Sequence, residues 1–176
     1  MSGLPHLDAS GAARMVDVGG KPVTVREAVA SGRVLVSADV VRALRAGDLP
    51  KGDALAVARI AGIMAAKRTP DLVPLCHPIA LTGVDVTVTI ADEGVDIVAA
   101  VRTADRTGVE MEALTAVAVA ALAVVDMVKK LDPAAVVTDV RVEHKAGGAT
   151  GEWNRGQGAT EAVPGRPGWS TSVASR

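Results

Sequence analysis

The sequence has 176 residues, enough for one domain with or without a tail. Its 49% hydrophobic and 22% charged residues exclude a mostly disordered or collagen-like chain, and the absence of Phe and Tyr excludes an aromatic surface for stacking single-stranded nucleic acid. The net charge of −1 provides no overall field that would attract nucleic acid or an anionic membrane, so an anionic ligand must meet a local group of basic residues.

The N-terminal residues 1–14 are small and polar, which predicts a flexible segment, and they lack the basic-then-apolar layout of a secretion signal. No apolar run reaches the roughly 18 residues that a membrane span needs. Cys76 is the single cysteine, so no intramolecular disulfide can form. We therefore expect a cytoplasmic protein that binds neither a membrane nor nucleic acid.

The first third of the chain predicts short strands followed by two helices. The β-prone pieces are Met15–Val18, Val23–Val25 and Val34–Val36. Ser37 predicts the N-cap of a helix from Ala38 to Ala46 that ends at Gly47. Asp53 predicts the cap of a second helix that runs to about Arg68, where Thr69-Pro70 ends it. The prolines at 74 and 78 predict an extended loop over residues 71–78.

The second half predicts a hairpin, a long helix and a last strand. Apolar and polar residues alternate over 84–90, and Asp92-Glu93-Gly94 predicts a turn into a partner strand over 95–104. A helix follows from about Glu110 to Leu131, and a strand from Val136 to Glu143. This order predicts one α+β domain over residues 15–153. The glycine-rich chain from Ala146 onward predicts a mobile tail, and residues 154–176 fall outside the domain.

The long helix is apolar on nearly every face, because only Thr115 is polar between Ala113 and Val125. A sheet covers one side of a helix, so the other side needs a second cover. The segment 53–68 of the same chain is one candidate cover and a subunit interface is the other. We favour the interface.

Four short stretches hold most of the reactive side chains: Lys51-Gly52-Asp53, Leu75-Cys76-His77-Pro78, Glu110-Met111-Glu112 and Asp126-Met127-Val128-Lys129-Lys130. Each has an ordinary structural explanation, such as a surface turn, a packed histidine, carboxylates at a helix start or an ion pair on a helix face. Flanking prolines would nevertheless hold the thiol and imidazole rigidly. A lysine near a second ammonium becomes a usable acid or base near neutral pH. By themselves these residues predict a possible acid–base site.

Longer stretches resemble the molybdenum cofactor biosynthesis protein C family, the cyclic pyranopterin monophosphate synthases. They are KGDALAVARIAGIMAAKRTPDLVPLCHPIALTGVDV (51–86), TGVEMEALTAVAVAAL (107–122) and DMVKKL (126–131). The segments 6–32 and 144–153 resemble the two ends of that family, so the resemblance extends from residue 6 to about 153. It implies a ferredoxin-like antiparallel sheet packed by helices, and a homohexamer built as a trimer of dimers.

The resemblance also implies a reaction and its residues. Members convert (8S)-3′,8-cyclo-7,8-dihydroguanosine 5′-triphosphate into cyclic pyranopterin monophosphate and release diphosphate, which makes them lyases. The implied catalytic residues are Asp126, Lys51 and Lys129, to which we add His77 as a further acid or base. The implied substrate contacts are Leu75, Cys76, His77, Met111 and Glu112, with Glu110 beside them, while Lys21, Arg26 and Lys67 match basic positions that would neutralise the triphosphate. Gly19 and Ala149 depart from the family pattern, where a hydroxyl residue and a lysine are usual.

The chemistry needs proton transfers and a phosphoryl displacement without a net redox change, so we expect no cofactor and no protein-bound metal, apart from a Mg²⁺ ion that can accompany the triphosphate. Glu112 and Asp126 are 14 positions apart, which on one straight helix is about 21 Å. Either the helix start is a loop or neighbouring subunits share the site, and we favour the shared site. Two alternatives to an enzyme remain: a nucleotide-binding regulatory oligomer without turnover, and a structural oligomer without a ligand.

Overall fold

The computed structural model describes residues 10–149 and 151–156. Five strands and four helices follow one another in these residues, with the bounds β1 Thr24–Leu35, α1 Ala38–Ala46, α2 Ala54–Ala66, α3 Thr69–Leu72, β2 Leu81–Ile90, β3 Gly94–Asp105, α4 Glu110–Val128, β4 Val136–Ala146 and β5 Trp153–Asn154. The strands form one antiparallel sheet in the order β2-β3-β1-β4-β5. The helices α2 and α4 pack on this sheet, and the predicted ferredoxin-like α+β fold is confirmed.

The central strand is the largest departure from the sequence-based prediction. Short β-prone pieces were expected before residue 37, whereas β1 is one strand of twelve residues that pairs with β3 along its whole length. Its pairing with β4 shifts register at two places, between Val29 and Ala30 and between Ser31 and Arg33. These irregularities explain why the strand lacks a clean alternation of apolar and polar residues.

Helix α4 lies in the interior of the domain, between the sheet and α2. It is long and apolar enough to cross a membrane by length and composition, but half of it is buried within the domain. Of the two candidate covers, segment 53–68, which was not the favoured one, is present as α2. The outward faces of the two helices still expose several large apolar side chains, namely Val57, Ile60, Met64 and Leu122.

The ends of the first helices agree with the sequence in part. Asp53 caps α2, since its Oδ1 accepts a hydrogen bond of 2.9 Å from the backbone N–H of Ala56, and Gly47 ends α1 in the left-handed conformation. Ser37 is the N-cap residue of α1, as predicted, but its side chain makes no capping hydrogen bond. Its backbone N–H instead donates to Asp132 Oδ2 at 2.6 Å, which connects the start of α1 to the turn after α4.

Two other expectations need correction. Residues 71 and 72 were expected in an extended loop, but they belong to the single turn α3, because Pro70 stands at the start of a helix, where a missing N–H costs nothing. The tail was expected from Ala146, but β4 includes that residue and β5 pairs Trp153 with Lys145. The remaining tail residues, 157–176, and residues 1–9 of the expected N-terminal segment lie outside the described residues.

Close contact between α2 and α4 depends on Gly62. A Cβ atom at this position would lie 2.9 Å from the backbone oxygen of Ala116 and 3.3 Å from Cβ of Ala120, so the two helices approach almost to backbone contact. Because Gly62 meets the middle of α4 while Lys51, before α2, meets Asp126 near the end of α4, the helices run antiparallel.

The first testable prediction concerns this contact. Gly62→Ala adds a methyl group against a backbone atom that cannot rotate away, and we expect a loss of about 1–3 kcal/mol in the free energy of unfolding, despite the better helix propensity of alanine. Urea unfolding at fixed protein concentration measures this. Gly20→Ala is the matched control, because nothing lies within 4 Å of its added Cβ. Equal stability of the two variants would contradict the close packing of α2 on α4.

Candidate functional site

A carboxylate held between two lysines lies at the C-terminal end of α4. Lys51 Nζ donates to Asp126 Oδ2 at 2.7 Å and to the backbone oxygen of Asp126 at 2.8 Å, and Lys129 Nζ lies 2.7 Å from Asp126 Oδ1. We call these three residues the lysine–aspartate cluster. Both ammonium groups come from the same chain and contact the same carboxylate. The structure thus brings together three of the four predicted catalytic residues.

The local sequence explains how this cluster forms. Asp126 and Lys129 are three positions apart and share a face at the end of α4, where a lysine is favoured by the helix dipole. Lys51 precedes α2 in a turn closed by the hydrogen bond from Gly52 N–H to the oxygen of Leu49 at 3.1 Å, and Gly52 has φ +86°. The antiparallel packing of α2 and α4 then places this turn beside Asp126.

The two lysines set the charge state of the carboxyl group. Their hydrogen bonds, with that of Lys129 the larger, lower the pKa of Asp126 from its usual 3.8 to about 2. Asp126 is thus an anion at any working pH, while its side chain remains about half exposed. The cluster presents two positive charges and one negative charge to a ligand, and an anion can approach it from solvent.

A second group of predicted residues surrounds the other end of α4. Glu112 is buried, with 3% of its surface exposed, and its charge is close enough to Cys76 to raise the pKa of that thiol, an effect that adds to the larger one of burial. Glu110 Oε1 lies 3.2 Å from Lys145 Nζ. We call Glu112, Cys76, Glu110 and Lys145 the Glu112 group. The Cys76 thiol stays protonated at neutral pH and is not an activated nucleophile.

Burial controls the acidity of Glu112. Removal from water disfavours the charged carboxylate and raises its pKa from 4.5 to about 7, with a smaller contribution from the nearby Glu110 and an opposing one from a backbone hydrogen bond. Near neutral pH, Glu112 can therefore either donate or accept a hydrogen bond. Such a carboxyl group suits the recognition of a heterocycle or the transfer of a proton.

A basic cavity of about 530 Å³ adjoins the Glu112 group. Its lining residues are Lys21, Pro22, Thr24, Arg26, Thr107, Gly108, Gly148 and Ala149. Arg26 is held in place because its Nε donates to the backbone oxygen of Asp105 at 2.9 Å. Gly108 connects the cavity to the Glu112 group, since a Cβ there would overlap the Glu110 carboxylate. Two of the three basic positions expected to meet an anion therefore line one cavity.

The remaining predicted residues lie on the Glu112 side of the domain or on the loop that leads to it. Lys67 is the C-cap of α2, which places it near the start of α4 because the helices are antiparallel. His77 Nε2 donates to the backbone oxygen of Val16 at 2.7 Å, so the loop after α3 contacts the N-terminal segment. Leu75 and Met111 each expose 39% of their surface.

The predicted residues thus divide between two ends of the same helix pair. Helix α4 is continuous from Glu110 to Val128, which excludes the expectation that its start is a loop. With 1.5 Å of rise per residue, Glu112 and Asp126 are about 21 Å apart along the axis. A separation of this size is too large for one small pocket within a single chain.

Sequence reasoning missed Lys145. The approximate alternation in β4 gave no reason to single it out, but pairing with Ala28 turns it to the helix-covered face of the sheet, where it meets Glu110. The signal was available in the position of a lysine two residues before the glycine pair at 147–148. In residues 10–149 and 151–156, no group of three or more His, Cys, Asp and Glu side chains is placed to hold a metal ion.

Comparison with known proteins shows the family of this chain. The MoaC family model matches residues 15–148, which include every candidate site residue. The chain belongs to the MoaC family. Two similar proteins are named cyclic pyranopterin monophosphate synthase: one from Streptomyces coelicolor is 67% identical over 152 residues, covering 86% of this chain and 89% of that protein, and one from Nocardioides sp. is 66% identical over 155 residues, covering 86% and 95%. A MoaC relative from Mycobacterium tuberculosis, named cyclic pyranopterin monophosphate synthase 2, is 60% identical over 152 residues, covering 86% and 91%.

The second prediction follows from the buried Glu112. Its folded-state pKa is raised, so the folded protein holds this proton more tightly than the unfolded chain does. The corresponding stability is fully present below about pH 4.5 and is lost as the pH rises to about 7. Glu112→Gln removes the titrating group, and we expect urea unfolding between these pH values to show a smaller decline in stability than in the unsubstituted protein.

Glu93→Gln serves as the control, because Glu93 is an exposed carboxyl group in the β2–β3 turn. It should leave the pH dependence of unfolding unchanged. A Glu112→Gln variant with the same slope as the unsubstituted protein would show that Glu112 titrates normally and would contradict its burial.

Proposed function

We propose that this protein is a cyclic pyranopterin monophosphate synthase of molybdenum cofactor biosynthesis. The substrate would be (8S)-3′,8-cyclo-7,8-dihydroguanosine 5′-triphosphate, and diphosphate would leave, so the enzyme is a lyase. Membership of the MoaC family and the names of its relatives support the assignment. The observation that carries it in this chain is the single Asp126 carboxylate between the ammonium groups of Lys51 and Lys129.

The lysine–aspartate cluster would perform the proton transfers. In this proposal Lys51 and Lys129 act as the acid and base, while Asp126 orients them and balances their charge. Because Asp126 remains ionised, it holds both nitrogens in place without competing for the proton under working conditions. An anionic substrate group that enters the cluster would compete with Asp126 for these ammonium groups, which allows a lysine to change partner during the reaction.

The Glu112 group and the basic cavity would bind the substrate. Glu112 would hydrogen-bond N–H groups of the guanine-derived ring, and Leu75, Cys76 and Met111 would contact it. Lys21 and Arg26, which line one cavity, would neutralise the triphosphate together with Lys67. His77 is a further acid or base: a backbone oxygen only accepts, so Nε2 carries the proton shared with Val16, and Nδ1 remains as the basic nitrogen.

The separation of the two ends supports a site shared between copies of the chain. We propose a homo-oligomer, a homohexamer built as a trimer of dimers, in which the lysine–aspartate cluster of one chain meets the Glu112 group of another. Exposed apolar side chains on α2 and α4 provide material for such contacts. The proposal includes no cofactor beyond a Mg²⁺ ion that can accompany the triphosphate, a cytoplasmic location, and no nucleic-acid or membrane partner.

The third prediction tests this function by turnover. The purified protein, incubated with the cyclic dihydroguanosine triphosphate, should form the pterin product and diphosphate in equal amounts. Asp126→Asn and Lys51→Met should each lower kcat by about 100-fold or more, because a positioned acid or base typically contributes that much: Lys51→Met removes one, and Asp126→Asn removes the carboxylate that positions both lysines. Lys130→Met is the matched control, since this exposed lysine follows Lys129 but lies outside the cluster, and it should keep full activity.

Other outcomes identify the alternatives. Stoichiometric binding of the triphosphate without release of diphosphate would contradict the enzyme and support a nucleotide-binding regulatory oligomer. No binding, with Lys51→Met and Asp126→Asn unchanged in every property, would support a structural oligomer.

A further inference from the structure

A fully buried histidine joins the last two strands of the sheet. His144 lies on β4 with 0% of its surface exposed, and its Nδ1 is 2.7 Å from Oδ1 of Asn154 on β5. An amide oxygen only accepts hydrogen bonds, so His144 Nδ1 donates this one. Within the described residues the other ring nitrogen, Nε2, is buried without a hydrogen-bond partner.

Burying this histidine lowers the stability of the fold. A buried polar atom without a partner destabilises the fold, whereas an apolar side chain of similar size would pack there without this penalty. In the part of the chain that the structure describes, the short polar contact of the ring is the bond to Asn154, and the Glu152 carboxylate lies farther off, with Oε1 3.8 Å from Nδ1. The role of His144 therefore depends on the two segments that this bond joins, β4 and β5.

The bond closes the base of a small hairpin. Strand β5 pairs with β4 through only two residue pairs, His144 with Asn154 and Lys145 with Trp153, and a ladder this short is marginal by itself. Arg155 adds a hydrogen bond from its backbone N–H to the oxygen of Glu143 at 2.8 Å. Side-chain contacts also hold the returning chain on β4: Arg155 Nε donates to the oxygen of Val142 at 2.7 Å in an exposed position, whereas the His144–Asn154 bond is partly buried and better protected from water.

The turn of this hairpin forms a wall of the basic cavity. Gly147 and Gly148 have φ of +92° and +76°, and Gly151 N–H donates to the oxygen of Gly148 at 3.3 Å. A Cβ at Gly147 would overlap the backbone oxygen of Val25, and a Cβ at Gly148 would overlap the guanidinium of Arg26. The turn therefore lies with its bare backbone directly against Arg26.

We propose that the His144–Asn154 hydrogen bond is a positioning contact that holds the Gly147–Gly148 turn against Arg26 and so preorganises the basic cavity for a polyphosphate. It rests on the proposed function only in taking the substrate's triphosphate as the natural ligand. Neither residue touches the ligand, and both act through the turn. When the bond is lost, the turn moves away, the guanidinium gains rotational freedom, and binding of the anion weakens because more side-chain entropy is lost on binding.

The experiment compares two substitutions at one position. Asn154→Asp keeps an oxygen acceptor for His144, whereas Asn154→Leu removes it at similar size. Calorimetric titration with inorganic tripolyphosphate should give a Kd about 10-fold higher for Asn154→Leu and close to the unsubstituted value for Asn154→Asp, since 1.4 kcal/mol corresponds to a factor of ten. Amide exchange at Gly148 and Gly151 should become faster in Asn154→Leu alone. In turnover, KM should rise for this variant while kcat is retained.

A double-mutant cycle identifies the partner. His144→Leu should raise Kd by the same factor as Asn154→Leu, and the double variant should raise it no further, because both changes break one bond. Independent, multiplying effects would overturn the proposal, as would unchanged Kd and amide exchange in a folded Asn154→Leu variant. If turnover is absent but tripolyphosphate binds with this pattern, the proposed function fails and the positioning contact stands. If the unsubstituted protein does not bind tripolyphosphate, the positioning proposal fails.

Discussion

The continuity of α4 is the constraint on which the arrangement of the site depends. Its 19 residues form one unbroken helix, and backbone hydrogen bonds fix the rise per residue, so its two ends cannot approach each other. Glu112 stands at one end and Asp126 at the other. The antiparallel α2 repeats the same separation, because Lys51 precedes it and Lys67 follows it. Every reactive group carried by this helix pair is consequently assigned to one end or the other.

The two ends differ in chemistry for physical reasons. At the C-terminal end the groups are exposed, and hydrogen bonds from two lysines keep the Asp126 carboxyl ionised. At the N-terminal end Glu112 is buried, and loss of hydration brings its pKa to about 7. One end is suited to anions and to proton transfer, and the other to a heterocycle with a polyphosphate beside it. A nucleotide derivative needs both kinds of environment. Because the two ends of one chain are far apart, a site built from two chains fits the proposed reaction.

The sequence predicts the elements with strong periodicity and predicts contacts only where they are local. Strands β2 and β3, helix α4 and the Asp53 cap follow from patterns within a few residues. Strand β1 could not be predicted in the same way, because its central position arises from pairing with two distant strands, β3 and β4. Its register with β4 also shifts at two places. The family resemblance indicated Lys51, Asp126 and Lys129, but their joint hydrogen bonds depend on the antiparallel packing of α2 and α4. Lys145 was missed because only the strand pairing turns it toward Glu110.

Complementation between inactive variants tests most directly whether two chains build one site. Lys51→Ala disables the lysine–aspartate cluster and Glu112→Ala the other end, and the two variants are unfolded together, mixed in equal amounts and refolded. Random assembly of shared sites pairs an intact cluster with an intact Glu112 group in about one quarter of sites, and we expect a corresponding recovery of diphosphate release. Lys51→Ala mixed with Lys129→Ala should recover nothing, because one chain supplies both lysines. No recovery from the first mixture, with both variants assembled, would contradict the shared site.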